Sequence, residues 1–333
     1  MTAVVAAPGP GHAAEDADAK PSTRWHGSTV LLDQSATTQT VGVGADYQSA
    51  NPTYEWWMAV KPQYYLRETE TRFLRVGLWM NATLEVTNSD TTTRTREVQL
   101  GPTYLSLIYG KAIRDWSDRK DYRMAVSIGP RLTLPTEKAA WNSGQLLGAG
   151  AIGEISQSFP LRGKQARAFI GGRLALGALY NHSIDRATSP VSSDLRQLRQ
   201  DIAGRPIVSD QLRGQMNVSD SLTLLATATV QITTRAEASM SYVVGNSWVY
   251  APADGCVQTL TGCVVPATIA DPSSYRVSTW LTASASYQVW DALAVSVGYY
   301  NRASQIGPDG TRRNPLWSPS ARFFLTLIGS LGS

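Results

Sequence analysis

An excess of arginine on one face of an alternating pattern is the feature of this chain best suited to act on a solute. Arg75, Arg123, Arg131, Arg173, Arg276, Arg302 and Arg322 fall on the polar side of apolar/polar repeats, against Glu55, Glu85, Glu97 and Glu154. Rings of Arg or Lys lining a pore favour anions electrostatically. An open passage walled by these residues would therefore lean toward anionic solutes. The competing reading is mechanical, because a buried charge needs a partner and Arg–Glu pairs across a narrow, filled passage would brace it.

Other chemistries find less support. Asn181-His182-Ser183 is similar in residue types to the Asn, His and Ser of outer-membrane phospholipases, which carry His-x-Ser on a strand. Here His and Ser are adjacent, so on a strand they point to opposite faces and make no nucleophile–base pair. The chain is not expected to be an enzyme. His12, His26 and His182 are too scattered to suggest a zinc set, and no cofactor is expected. Cys256 and Cys263 share one polar loop, which points to a local disulfide in an oxidising compartment rather than to a metal. The net charge of +4 comes without a basic run interleaved with aromatics, which argues against a nucleic-acid partner.

The elements that position these charges are legible in residues 275–302. Tyr275, Val277, Thr279, Leu281, Ala283, Ala285, Tyr287 and Val289 alternate with Arg276, Ser278, Trp280, Thr282, Ser284, Ser286 and Gln288. This is the period of a strand between two unlike solvents. Trp290-Asp291-Ala292 turns the chain, and Leu293, Val295, Val297 and Tyr299 restart the apolar face. At ~3.3 Å per residue and a tilt of ~40°, Tyr275 and Tyr287 stand roughly 30 Å apart along a barrel axis. That matches a lipid-facing band between aromatic girdles, whereas soluble sandwich strands are usually about half as long. No stretch approaches the ~20 continuous apolar residues of a membrane helix. The negative mean hydropathy fits a wall that shows lipid only alternate residues.

The expected fold is therefore all-β: a transmembrane up-and-down antiparallel β-barrel of about twelve strands. Residues 1–35 read as the remnant of a signal peptide and a flexible periplasmic leader, which either plugs the barrel or lies along its lower rim. Residues 36–333 read as the barrel. A first strand is expected at Val41 to Tyr47 and a second from Tyr54 to Leu66, with a bulge or weak pairing at Pro62, which lacks an N–H. Later strands include Phe73 to Val86, Glu97 to Tyr109 with a phase change at Gly101-Pro102, Leu212 to Val218, and a very long one from Leu222 to Val244. Helical turns are expected near Trp116 and over Ser193 to Ile202. Connections after odd strands are mostly long and polar, and after even strands mostly short, the asymmetry between extracellular loops and periplasmic turns.

The segments VKPQYYL (60–66), LEVTNSDTTTRTRE (84–97) and RLTLPTEKA (131–139) followed by GQLLGAGA resemble uncharacterised outer-membrane barrel proteins of myxobacteria and related deltaproteobacteria. The resemblance covers residues 25–180 and implies no catalytic residues. The sequence thus points to the bacterial outer membrane, with lipid and small solutes as partners. A passive, porin-like channel with a lean to anions is the leading expectation. A closed barrel whose loops or rim dock other envelope proteins is the alternative, and a lipid-modifying enzyme a third.

Overall fold

Period-2 alternation forces successive side chains to opposite faces of a strand, and in this chain the two faces become the outside and inside of a closed wall. The structure is a computed structural model and describes residues 23–38, 53–69, 71–87, 96–114, 123–160, 169–188, 198–200, 206–208, 216–250, 257–259, 262–264, 275–304, 314–318 and 321–331. Twelve antiparallel strands run in chain order around the barrel. They are β1 (Ser28–Thr37), β2 (Tyr54–Lys61, resumed after Pro62 as Gln63–Glu68), β3 (Arg72–Glu85) and β4 (Val98–Leu100, resumed as Thr103–Arg114). Next come β5 (Arg123–Leu134), β6 (Gln145–Pro160), β7 (Gly171–Asp185) and β8 (Val218–Gln231). The circuit ends with β9 (Ala236–Val249), β10 (Tyr275–Trp290), β11 (Leu293–Ser304) and β12 (Arg322–Leu331). β12 pairs with β1 from Ser28↔Leu331 to Thr37↔Arg322, so no sheet edge remains.

The outer girth is apolar. Ile128 and Leu176 are each 61% exposed and Leu174 is 52% exposed, values that only a lipid solvent makes favourable for rows of such side chains. Trp25, Tyr287 and Trp290 mark the short-turn end of this band, and Trp56, Trp248, Tyr275 and Trp317 the long-loop end. The long loops carry a helix, α1 (Lys138–Ser143), closed by Gly144 in the left-handed region, and two small hairpins, Leu198–Gln200 with Pro206–Val208 and Val257–Thr259 with Gly262–Val264. Asn217 ties their bases together, donating to the carbonyls of Ser143 and Ala187.

Several expectations are corrected. β1 occupies residues 28–37, so part of the expected leader is barrel wall, while the strand expected at Val41 to Tyr47 lies outside the described residues. Residues 23–27 lie along the lower rim: His26 stacks on Tyr65 at 4.0 Å and meets Glu68 at 2.8 Å. The long strand expected over Leu222 to Val244 is split, because Thr233 accepts hydrogen bonds from the N–H groups of Arg235 and Ala236 and turns the chain between β8 and β9. Asp220, expected in a turn, is inside β8. Leu198–Gln200 is a strand where a helix was expected, and the helix expected near Trp116 lies outside the described residues.

Two prolines act as their chemistry requires. β2 breaks at Pro62, yet the Pro62 carbonyl still accepts from Leu78. At Gly101-Pro102 the outward set shifts from Val98 and Leu100 to Leu105, Leu107 and Tyr109, the expected phase change. Asn81 bridges the gap, its carbonyl taking the Gly101 N–H and its side-chain amide donating to the Pro102 carbonyl.

Candidate functional site in the barrel lumen

The register fixes which residues point inward. Asp33 opposes Trp57 and Thr326, Glu55 opposes Glu85, and Tyr300 opposes Arg322. Of the sequence-predicted residues, Arg75, Glu85, Arg131, Arg173, Arg276, Arg302 and Arg322 stand on this inner face. Arg123 has the right register in β5, but its side chain lies outside the described residues. Glu97 is corrected: it precedes β4 and pairs with Lys138 of α1 at 3.3 Å, at the loop end of the barrel. Cys256 lies outside the described residues, as does the side chain of Cys263.

Six of the inward cations fall into two groups by what holds them. Arg322 pairs with Glu55, and Arg173 with Glu154 at 2.6 Å, as struts across the wall. The others rest on rings. Arg131 lies 3.6 Å from the centroid of Tyr104, Arg75 5.2 Å from Phe73, Arg302 5.3 Å from Trp280 and Lys61 5.8 Å from Trp79. An aromatic face attracts a cation through its quadrupole, contributing about 0.5–2 kcal/mol, but it leaves the full positive charge in place. Among the described residues no carboxylate lies within ion-pair distance of Lys61, Arg75 or Arg131. Arg75 donates to Gln63 at 2.5 Å and to Tyr65 at 3.4 Å. Arg131 is 8% exposed, and its Nε has no hydrogen-bond partner.

The lining differs from one side to the other. On β8 to β11 it is hydroxylic, with Thr227–Ser241, Ser239–Ser284 and Ser286–Ser296 bonded at 3.0, 2.8 and 3.0 Å. On the adjoining strands β12, β1 and β2, Ile328, Leu31 and Ala59 form an apolar cluster against which Trp57, Trp79 and Ala294 pack. Near the short-turn mouth a cleft of about 40 Å³ is lined by Gln231, Glu237, Ser286, Gln288, Ile328 and Ser330.

Sequence reasoning missed Lys61, Asp33 and Glu237. Lys61 shares parity with Glu55, Trp57 and Ala59, and that parity, which runs on through Pro62 to Gln63 and Tyr65, is the available signal. Asp33 was assigned to the leader, and Glu237 sits just past the turn that was read as strand. Asp33 accepts from Thr326 at 2.6 Å across the closing seam.

The Asn181-His182-Ser183 triplet splits between faces as adjacency requires. Asn181 points inward and accepts from Thr133 at 3.0 Å. His182 points outward, its Nδ1 2.9 Å from an Asp220 oxygen that also accepts from Tyr180 at 2.6 Å.

No protein-family model matches this chain, and no curated protein does either. Among solved structures, it is similar to an outer membrane channel from Pseudomonas putida F1, at 10% identity and a TM-score of 0.51, over 95% of this chain and 98% of that one. It also aligns with the NanC porin (8% identity, TM-score 0.38, 91% and 98% of the two chains) and with outer membrane phospholipase A from Escherichia coli (9%, 0.41, 94% and 93%). With its closed wall, apolar girth and aromatic girdles, the chain is a β-barrel of the bacterial outer membrane, and it shares its fold with a channel.

Proposed function

We propose that this barrel is a passive channel for small solutes and that it favours anions. The observation that carries the reading is the set Lys61, Arg75 and Arg131, lumen cations held by aromatic rings and neutral groups instead of carboxylates. A cation neutralised by an adjacent carboxylate contributes little to the potential felt by a passing ion, whereas one braced on a ring contributes in full. Arg322–Glu55 and Arg173–Glu154 hold the wall and add no net charge. The apolar Leu31–Ala59–Ile328 cluster takes up part of the lumen, which supports a passage for small solutes.

The test is conductance of the purified barrel in a planar bilayer under a KCl gradient. The reversal potential is expected on the anion-selective side, and Lys61→Glu is expected to lower the chloride-over-potassium preference about sevenfold, the effect at ~0.1 M salt of reversing a charge ~7 Å from the ion path in water. Cation preference in the native barrel would overturn the anion reading. A complete absence of current would overturn the channel and favour a closed docking barrel.

A further inference from the structure

Three of the ring-held cations, Lys61, Arg75 and Arg131, lie on strands next to the apolar lumen cluster, and their arrangement is more specific than a general positive lining. Trp79 on β3 lies opposite Tyr104 on β4 in the register, and Trp57 on β2 is 6.0 Å from Trp79. Three inward aromatic residues thus line neighbouring strands in a row. Lys61 stands over the Trp79 ring and Arg131 over the Tyr104 ring. The Arg131 side chain is more than nine-tenths buried, with an unpartnered Nε, and the Trp57 indole N–H likewise has no partner. Unpaired buried donors are uncommon in native structures and mark places where a ligand or water completes the bonding.

Barrel interiors are ordinarily polar, so a row of aromatic rings backed by Leu31, Ala59 and Ile328 is not what passing a hydrated mineral ion requires. It suits a solute with a flat apolar body, which stacks on rings. The cations beside the row suit a carboxylate on that body, since guanidinium and ammonium groups bind carboxylates by charge-assisted hydrogen bonds. The hydroxyl pairs of β8 to β11 offer another part of the lumen to water.

We infer that the Trp57–Trp79–Tyr104 row with Lys61 and Arg131 is a binding site for small aromatic carboxylates. This deepens the channel reading and, as a route for such solutes, rests on it; the binding itself does not. The probe is benzoate, with acetate and benzyl alcohol as comparators, titrated calorimetrically against the folded barrel in detergent with empty micelles as the blank. Benzoate is expected to bind about tenfold more tightly than acetate, the effect of one good stacking contact. It is expected to exceed benzyl alcohol by a similar factor, the effect of a charge-assisted bond.

Arg131→Gln is expected to remove the advantage over benzyl alcohol, and Tyr104→Leu the advantage over acetate. Because Trp79 also packs on the apolar cluster, Trp79→Leu is read only if the barrel stays folded by its heat-dependent gel mobility, and Tyr104→Leu carries the test otherwise. Equal affinity for benzoate and acetate, or for benzoate and benzyl alcohol, overturns the inference. Benzoate binding without chloride current keeps the site and defeats the channel. Chloride current without benzoate binding keeps the channel and defeats the site.

Discussion

Asn301 obeys the alternating code and yet sits where the code puts lipid. Its parity in β11 is that of Val297 and Tyr299, the outward set, and an amide facing hydrocarbon would cost several kcal/mol. The structure resolves the conflict with residues 314–318, which fold back over the outside of the wall. The Asn301 amide donates to the Pro315 carbonyl at 2.8 Å and accepts from Ser318 at 2.6 Å, leaving the side chain fully buried. Tyr299 adds a hydrogen bond to Leu316 at 2.7 Å, and Trp317 stacks on its ring at 6.0 Å. Removing the amide orphans these partners, so Asn301→Ala is expected to destabilise the barrel by about 1–3 kcal/mol. Ser318→Ala, which loses a single bond, should fall by less. Urea titrations of the folded protein in detergent give both midpoints, and unchanged midpoints would show that the strap contributes nothing. At this scale the sequence is least informative, since nothing local says that residues 314–318 will come back to cover an outward asparagine.

Strands were far more legible than their ends. Twelve strands and the alternation of long and short connections follow from period-2 patterning, and both are present. The expected turn at Asp220 failed because a run of alternating residues does not say where pairing stops. The Thr233 turn between β8 and β9 contains no glycine or proline, so the usual punctuation is missing. Inward charges on uninterrupted strands, such as Arg131 and Arg173, could be read directly. Lys61 and Glu237 also keep the inward parity of their neighbours, Lys61 straight through Pro62, so the same pattern held them as well. Backbone crowding is invisible until neighbouring strands are in place. A Cβ at Gly129 would lie 1.9 Å from the Leu107 carbonyl oxygen, whereas at Gly153 the nearest atom is 3.8 Å away. Gly129→Ala is therefore expected to abolish the folded, heat-shiftable band on gels and Gly153→Ala to preserve it. Equal folding of the two variants would refute the crowding.

For the whole molecule, connection length orients the barrel: short turns such as residues 232–235 and 291–292 face the periplasm, and the opposite strand ends, such as residues 186–188 and 216–217, face outward. In a Cys256→Ser, Cys263→Ser background, Ala187→Cys on intact cells should react with a membrane-impermeant maleimide, and Asp291→Cys should react only after lysis. The reverse pattern would invert the topology. The seam between β1 and β12 has a further consequence. Its cross-links, Asp33 to Thr326 and Arg322 to Glu55, join residues from opposite ends of the polypeptide. Until the last strand arrives, those carboxylates have no mate and the first strand offers a bare hydrogen-bonding margin. Insertion must therefore keep that margin shielded until β12 is delivered, which makes ring closure the final event in biogenesis and the step at which a stalled intermediate would be captured.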